Sequence, residues 1–212
     1  MNSKTCLANI DLSNLKMEGV NLSDSDLSYA KFVQTKLCGA NLRNAKLIGA
    51  DLSFANLAGV NLKGANLRGA NLSGASLKGA DLKGANLAGA NLEGVNFEGA
   101  IVLSVHLKGV KLAGSKMEGL DFTGSNLQGA VLAGARLSHA NLSRVDLSNA
   151  SFYLSELCFA NLEGANLFSA NFQGANLQGA RLAGANTTCS NLRGANLAGV
   201  DFSCVNLECA KR

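Results

Sequence analysis

At 212 residues the chain has the length of one domain, taking roughly 150 residues per domain. With 47% apolar and 16% charged residues it is too apolar to be disordered by composition, and with 24 Gly and no Pro it holds no proline-rich linker. A net charge of +4, from 19 Lys and Arg against 15 Asp and Glu, excludes a surface dominated by carboxylates.

The N-terminus, Met1-Asn2-Ser3-Lys4, leads straight into alternating polar and apolar residues, so no secretory signal is expected. No stretch approaches the 18 or so consecutive apolar residues of a membrane helix, and no membrane partner is expected. Six Cys without paired short spacings do not make a secreted disulfide framework. The expectation is a cytoplasmic protein with reduced thiols.

From Leu7 the sequence keeps a period of five without a slip. Of the 41 positions from Leu7 to Leu207, 31 are Leu, six are Phe and two are Met; only Val102 and Thr187 depart. Two residues before 38 of the 41 centres stands a small residue, Ala in 23 cases. One residue before it, 26 of 41 are Asn or Asp. All 24 Gly lie two residues after a centre.

A helix cannot follow this pattern. Apolar spacings of two and three wander around a helix of 3.6 residues per turn, and each Gly would cost about 1 kcal/mol relative to Ala. A short extended segment fits, because residues i and i+2 share one side of it. The small residue and the centre then face inward, Asn or Asp faces out, and the next two residues turn a corner. A type II turn needs φ > 0 at its third residue, where the Gly falls.

Runs such as Ala65-Asn66-Leu67-Arg68-Gly69 and Ala85-Asn86-Leu87-Ala88-Gly89 resemble the pentapeptide-repeat family, A(D/N)LXX, over residues 5–210. That resemblance implies an all-β fold, a right-handed quadrilateral parallel β-helix of about ten coils with four pentapeptides each. With coils about 4.8 Å apart the rod would be on the order of 50 Å long. The whole chain, 1–212, is read as one such domain, its Leu columns buried by stacking of neighbouring coils.

A period of 20 makes residues n and n+20 neighbours. Ile10 and Leu15 are large residues at small-residue positions of the first coil. Arg43, Lys63 and Lys83 form a basic column diluted by Asp81. Nucleic-acid binding, which wants a broad patch and stacking aromatics, is not expected from it. Val102, small for a centre, is expected to pack on Phe122 or Leu120 without a local break. Phe152 is expected to stack on Phe172 at roughly 4.5–7 Å. Cys189 and Cys209 share a corner column but are expected to be free thiols.

The corners between 139 and 159 lack Gly five times in succession, at His139, Arg144, Asn149, Leu154 and Phe159. Leu and Phe take φ > 0 only under strain, so another turn type is expected there, with Tyr153, Leu154, Cys158 and Phe159 turned outward and Phe168 on the next face but one. Tyr153, Leu154, Phe159 and Phe168 are the candidate partner-binding residues, with Arg43, Lys63 and Lys83 a weaker second candidate.

No catalytic constellation is read. There are two His, His106 and His139, no Gly-Lys-Ser/Thr loop, and the Asn and Asp rows are repeat-specified ladders; Cys158 beside His139 is a fortuitous neighbour. No cofactor or metal is expected. The functional expectation is a non-catalytic rigid scaffold for a protein partner of unspecified identity, with an end-to-end homodimer through the C-terminal coil as a further expectation, since edge strands invite pairing. The resemblance implies two alternatives. One is a DNA-mimic protein that binds topoisomerase (gyrase) and confers quinolone resistance, with whose acidic surface the charge of +4 disagrees. The other is the repeat portion of a BTB-type ubiquitin-ligase adaptor, although no BTB domain is present.

Overall fold

The computed structural model describes residues 6–211. Single-residue parallel bridges join residues 20 apart, from Cys6 with Asp26 through to Asn191 with Lys211. Twenty residues are four pentapeptides, so each pentapeptide is one side of a coil and one corner. In the coil that starts at Ala40, side one is 40–43 with its corner at Asn44, side two 45–48 with Gly49, side three 50–53 with Phe54, and side four 55–58 with Gly59; the same numbers plus multiples of 20 describe the others.

Four sets of hydrogen bonds hold each side and its corner; in one of them the corner N–H donates to the next coil, as Asn44 does to the Lys63 carbonyl at 2.9 Å. The centre N–H donates to the next coil, as Leu42 does to the Asn61 carbonyl at 2.8 Å, and the outward residue N–H donates to the preceding coil, as Asn41 does to Val20 at 2.8 Å. The turn closes through the following small residue, Ala45 N–H donating to the Leu42 carbonyl at 3.0 Å. The third residue of that turn has positive φ throughout, 62–74° at the 24 Gly.

The Asn or Asp before each centre does two jobs. Its Oδ1 accepts the N–H of the residue two positions on, as Asn41 accepts from Arg43 at 3.2 Å. Its Oδ1 also accepts from the Asn above it, as Asn21 does from Asn41 Nδ2 at 3.0 Å. The resulting ladders point one way, and some have Asp at the foot: Asn166 donates to Asp146 at 3.1 Å and Asn186 to Asn166 at 3.2 Å. An Asp has no N–H to give the coil before it, but it accepts as well as an Asn does.

The inward Leu, Phe and Ala from Leu22 to Leu192 form one continuous buried cluster. Phe152 and Phe172 stack with ring centroids 4.8 Å apart and planes parallel, as the period requires. Most polar residues at inward positions are satisfied locally, although the buried Ser190 Oγ has no hydrogen-bond partner among the described residues. Thr35 donates to the Leu12 carbonyl at 2.8 Å, Ser155 to Phe152 at 2.8 Å, and Thr187, the polar centre, to Asn206 in the next coil. Ile10 is half-buried against the core, whereas Leu15 is 46% exposed and does not plug the first coil.

Two expectations are corrected. Val102 and Phe122 do line the same small core void, about 10 Å³, but the coil is locally broken there. In the series from Cys6 to Lys211, Ile101 and Asp121 are the one pair among the described residues without its bridge. The bonds from Val102 N–H to Asp121 and from Asp121 N–H to Ala100 are not formed among the described residues, although Leu82 and Phe122 make the equivalent ones at 2.9 Å. Leu120, buried in a small-residue place beside Phe122, overfills one coil while Val102 underfills the coil before it, and cores resist both. Ser125 patches the gap: its Oγ accepts from Val105 N–H at 3.0 Å and donates to the Val102 carbonyl at 2.8 Å.

The second correction concerns the corners without Gly. The turn does not change type. His139, Arg144, Asn149, Leu154 and Phe159 all keep positive φ, 54–61°. Leu154 N–H still donates to Gln173 at 3.0 Å and Ser155 N–H to Phe152 at 3.1 Å, so the stacked backbone imposes the left-handed conformation against a cost of roughly 1–2 kcal/mol per residue.

Candidate interaction surfaces

A corner side chain in the left-handed conformation lies along the corner column, over the next coil. Where that coil has Gly, the side chain occupies the space a Cβ would need. A Cβ on Gly174 would meet Leu154 Cδ2 at 2.7 Å, and one on Gly179 would meet Phe159 Cε1 at 2.5 Å. Tyr29 over Gly49 and Phe54 over Gly74 repeat the arrangement at 2.6 Å. The corner apolar residues therefore rest on bare glycine and still present much of their surface: Leu154 is 56% exposed and Phe159 54%.

The four apolar candidates do not form one patch. Tyr153, 43% exposed, and Leu154 lie at the corner between sides three and four. Val131, bridged to Ser151 on side three and 40% exposed, adds to them. The sequence reading passed over Val131; a β-branched residue in a row otherwise filled by Asn, Asp, Lys and Ser was the available signal. Phe159 lies one side further on, beyond Glu156 and Cys158, and stacks with His139 at a centroid distance of 5.3 Å and 14° between planes. His139 thus faces a ring. Phe168, 42% exposed, sits on side two of the next coil, away from the other three.

The basic candidates stay in their column on side one. Lys63 pairs with Asp81 at 2.9 Å, while Arg43 and Lys83 form no ion pair among the described residues. Elsewhere some charges are engaged in short networks: Arg136 with Glu118 at 2.6 Å and Glu156 at 3.7 Å, and Arg181 with Glu163 at 2.6 Å. Four Asp carboxyls are held below the ordinary range by the Ser or Thr two residues on. At Asp26 the Ser28 hydroxyl at 2.7 Å and its N–H at 3.1 Å are the causes.

Concavities are shallow. An open groove of about 870 Å³ runs along side one where Gly124, Gly164 and Ala183 leave room beside Arg144 and Glu163. Among the described residues no group of three or more His, Cys, Asp or Glu could hold a metal ion. All six cysteines are free thiols, and Cys189 has its pKa raised, first by its neighbour Cys209. Among the described residues no helix is long and apolar enough to cross a membrane.

The family model for pentapeptide repeats matches the chain in overlapping segments, from 5–44 through to 175–210. The chain belongs to the pentapeptide repeat family. Membership brings with it the right-handed quadrilateral β-helix, and bridges between residues 20 apart have the period that four pentapeptides give. Among solved structures the chain is similar to HetL, a pentapeptide repeat protein involved in heterocyst differentiation regulation from the cyanobacterium Nostoc sp. strain PCC 7120. Identity is 32%, coverage 92% of this chain and 88% of that one, and the TM-score 0.57. It is also similar to alr5209, a pentapeptide repeat protein from Nostoc PCC 7120, at 39% identity over 35% of this chain and 62% of that one, TM-score 0.34. Trypsin-treated QnrB1, a plasmid-mediated fluoroquinolone resistance protein, matches at 21% identity over 99% of this chain and 91% of that one, TM-score 0.39. No curated protein matches.

Proposed function

We propose that this pentapeptide repeat protein is a non-catalytic rigid scaffold that docks a protein partner through the corner formed by Tyr153 and Leu154, with Val131 beside them and Phe159 at the next corner. The observation that carries the reading is that Val131, Tyr153, Leu154 and Phe159 stand 40–56% exposed within two adjacent coils, whereas other exposed apolar residues, such as Tyr29 and Phe54, stand at separate corners. Exposed apolar clusters on soluble proteins mark interaction sites, and Tyr is enriched at hot spots. The rod suits this role, since its backbone is bonded coil to coil and its outward rows are held by ladders, so a docking surface is ordered before it binds. The similarity to HetL, whose name places it in a regulatory process, supports a scaffold acting through a partner.

The test is affinity capture from the native cell with the full chain and with a Tyr153→Ser/Leu154→Ser/Phe159→Ser variant. The variant is expected to melt within a few degrees of the parent, because none of the three faces the core, and to lose the partner. Retention of the partner by a folded variant places the site elsewhere; an unfolded variant makes the three residues structural.

A further inference from the structure

On side two, Ala88 stands between Arg68 in the coil before and Lys108 in the coil after. Its short side chain leaves an open depression of about 340 Å³, lined by Arg68, Asn86, Ala88, His106, Lys108 and Asn126. The amides offer donors. Asn86 and Asn126 have Oδ1 occupied by the N–H of Ala88 at 3.1 Å and of Gln128 at 2.9 Å, and their Nδ2 groups have no acceptor among the described residues. Arg68 and Lys108 form no ion pair among the described residues and lie about 10 Å apart, two strand spacings. No Asp or Glu occupies the outward rows of side two between Asp26 and Asp146.

Side one, which carries the basic column, adjoins side two. Corners Gly64 and Gly84 separate side one from side two; a Cβ on Gly84 would meet nothing within 4 Å, whereas one on Gly64 would meet Asn44 Oδ1 at 2.7 Å. Lys83 and Lys63 on one side and Arg68 and Lys108 on the other are thus reachable across a bare corner, with one carboxylate, Asp81, engaged by Lys63 at 2.9 Å.

We propose that this corner binds an acidic segment of a partner protein, one carboxylate entering the depression over Ala88 and its neighbours reaching Lys83 across Gly84. The chemistry favours carboxylates set between neutral residues over a nucleic acid. The outward rows from Arg43 to Lys108 on these two sides carry no Phe, Tyr or Trp on which bases would stack, and Asp81 opposes an unbroken run of phosphates.

The experiment is fluorescence anisotropy of the full chain with a labelled short peptide of alternating Glu and Ser, at about 50 mM salt so that charge pairs are weakly screened. Saturable binding is expected. It should weaken roughly fivefold or more in Arg68→Gln/Lys108→Gln, and also in Lys83→Gln, as loss of one or two exposed charge pairs implies. Asp81→Asn should tighten it by freeing Lys63. The Tyr153→Ser/Leu154→Ser/Phe159→Ser variant should bind the peptide as the parent does, which separates this site from the apolar corner. Circular dichroism melts check that each variant is folded. The proposal is overturned by no binding of the acidic peptide, by equal binding in both charge variants, or by a single-stranded oligonucleotide of about 20 nucleotides that binds more tightly than the peptide and displaces it.

Discussion

The ring of Phe159 lies across Gly179 in the next coil, so close that a Cβ on Gly179 would stand 2.5 Å from Cε1. Gly84 has the same backbone, with φ 67° against 64° at Gly179, but nothing above it within 4 Å. Gly84→Ala should therefore cost only the left-handed strain, about 1 kcal/mol. Gly179→Ala should cost that and the displacement of a packed ring besides, roughly 1–3 kcal/mol more. Urea unfolding of the two variants checks this, and equal midpoints would show that Phe159 does not rest on the glycine.

Ser125 and Ser115 are both buried Ser at inward positions, and their removal should differ sharply. The carbonyl that accepts from Ser115 Oγ, Leu112, also accepts from Ser115 N–H at 3.1 Å, so Ser115→Ala orphans no backbone group. Ser125 Oγ supplies the bonds that Val102 and Val105 would otherwise make to one another. Ser125→Ala should cost roughly 1–3 kcal/mol more than Ser115→Ala, the penalty of leaving buried polar groups unpaired. Chemical denaturation of both variants decides it.

Phe152 and Phe172 stack in adjacent coils, both fully buried. Truncating either to Ala should cost roughly 3–5 kcal/mol. Because the rings share one interface, the double variant should cost less than the two singles together, a coupling of about 0.5–1.5 kcal/mol that a double-mutant cycle measures.

The period of five made the corners, the core and the Asn rows legible in the sequence; the four-sided coil that the family resemblance implies then made this pair legible too, because with no insertion column arithmetic places every residue. The arithmetic failed where side-chain preference and stacked backbone disagree. Leu154 and Phe159 argue by themselves for a different turn, but their N–H groups are committed to Gln173 and Gln178 and the corner does not yield. The depression at Ala88 was hidden for another reason. Arg68 and Lys108 share a column with each other but not with Lys83, and only the bare corner at Gly84 joins the two rows. The break beside Val102 was also out of reach, because volume compensation between columns depends on how far Leu120 pushes its neighbours.

Acid should weaken the rod through its carboxylates. Burial alone would raise the Asp121 pKa, but the Thr123 hydroxyl at 2.6 Å, its N–H at 2.9 Å and Asn141 Nδ2 at 2.9 Å hold it below its ordinary 3.8. Asp11, Asp26 and Asp201 are lowered in the same way by Ser13, Ser28 and Ser203. A carboxyl whose folded value is depressed stabilises fully above its unfolded value, and that contribution is lost as pH falls through the folded one. The melting temperature should be flat above pH about 5 and fall below pH about 4, less steeply in Asp121→Asn than in the parent. Parallel curves would assign the acid sensitivity to other groups.

The missing bridge between Ile101 and Asp121 lies about halfway along the described residues. In a stacked array each joint carries the whole axial load, and a chain of joints in series parts at its weakest link. Stretched along its axis, this rod should yield first between the coils of Val102 and Phe122, where one of the four sides lacks its bridge. Two stubs of similar length remain, each with its Leu column intact, and the broken joint is ready to close again when the load is removed.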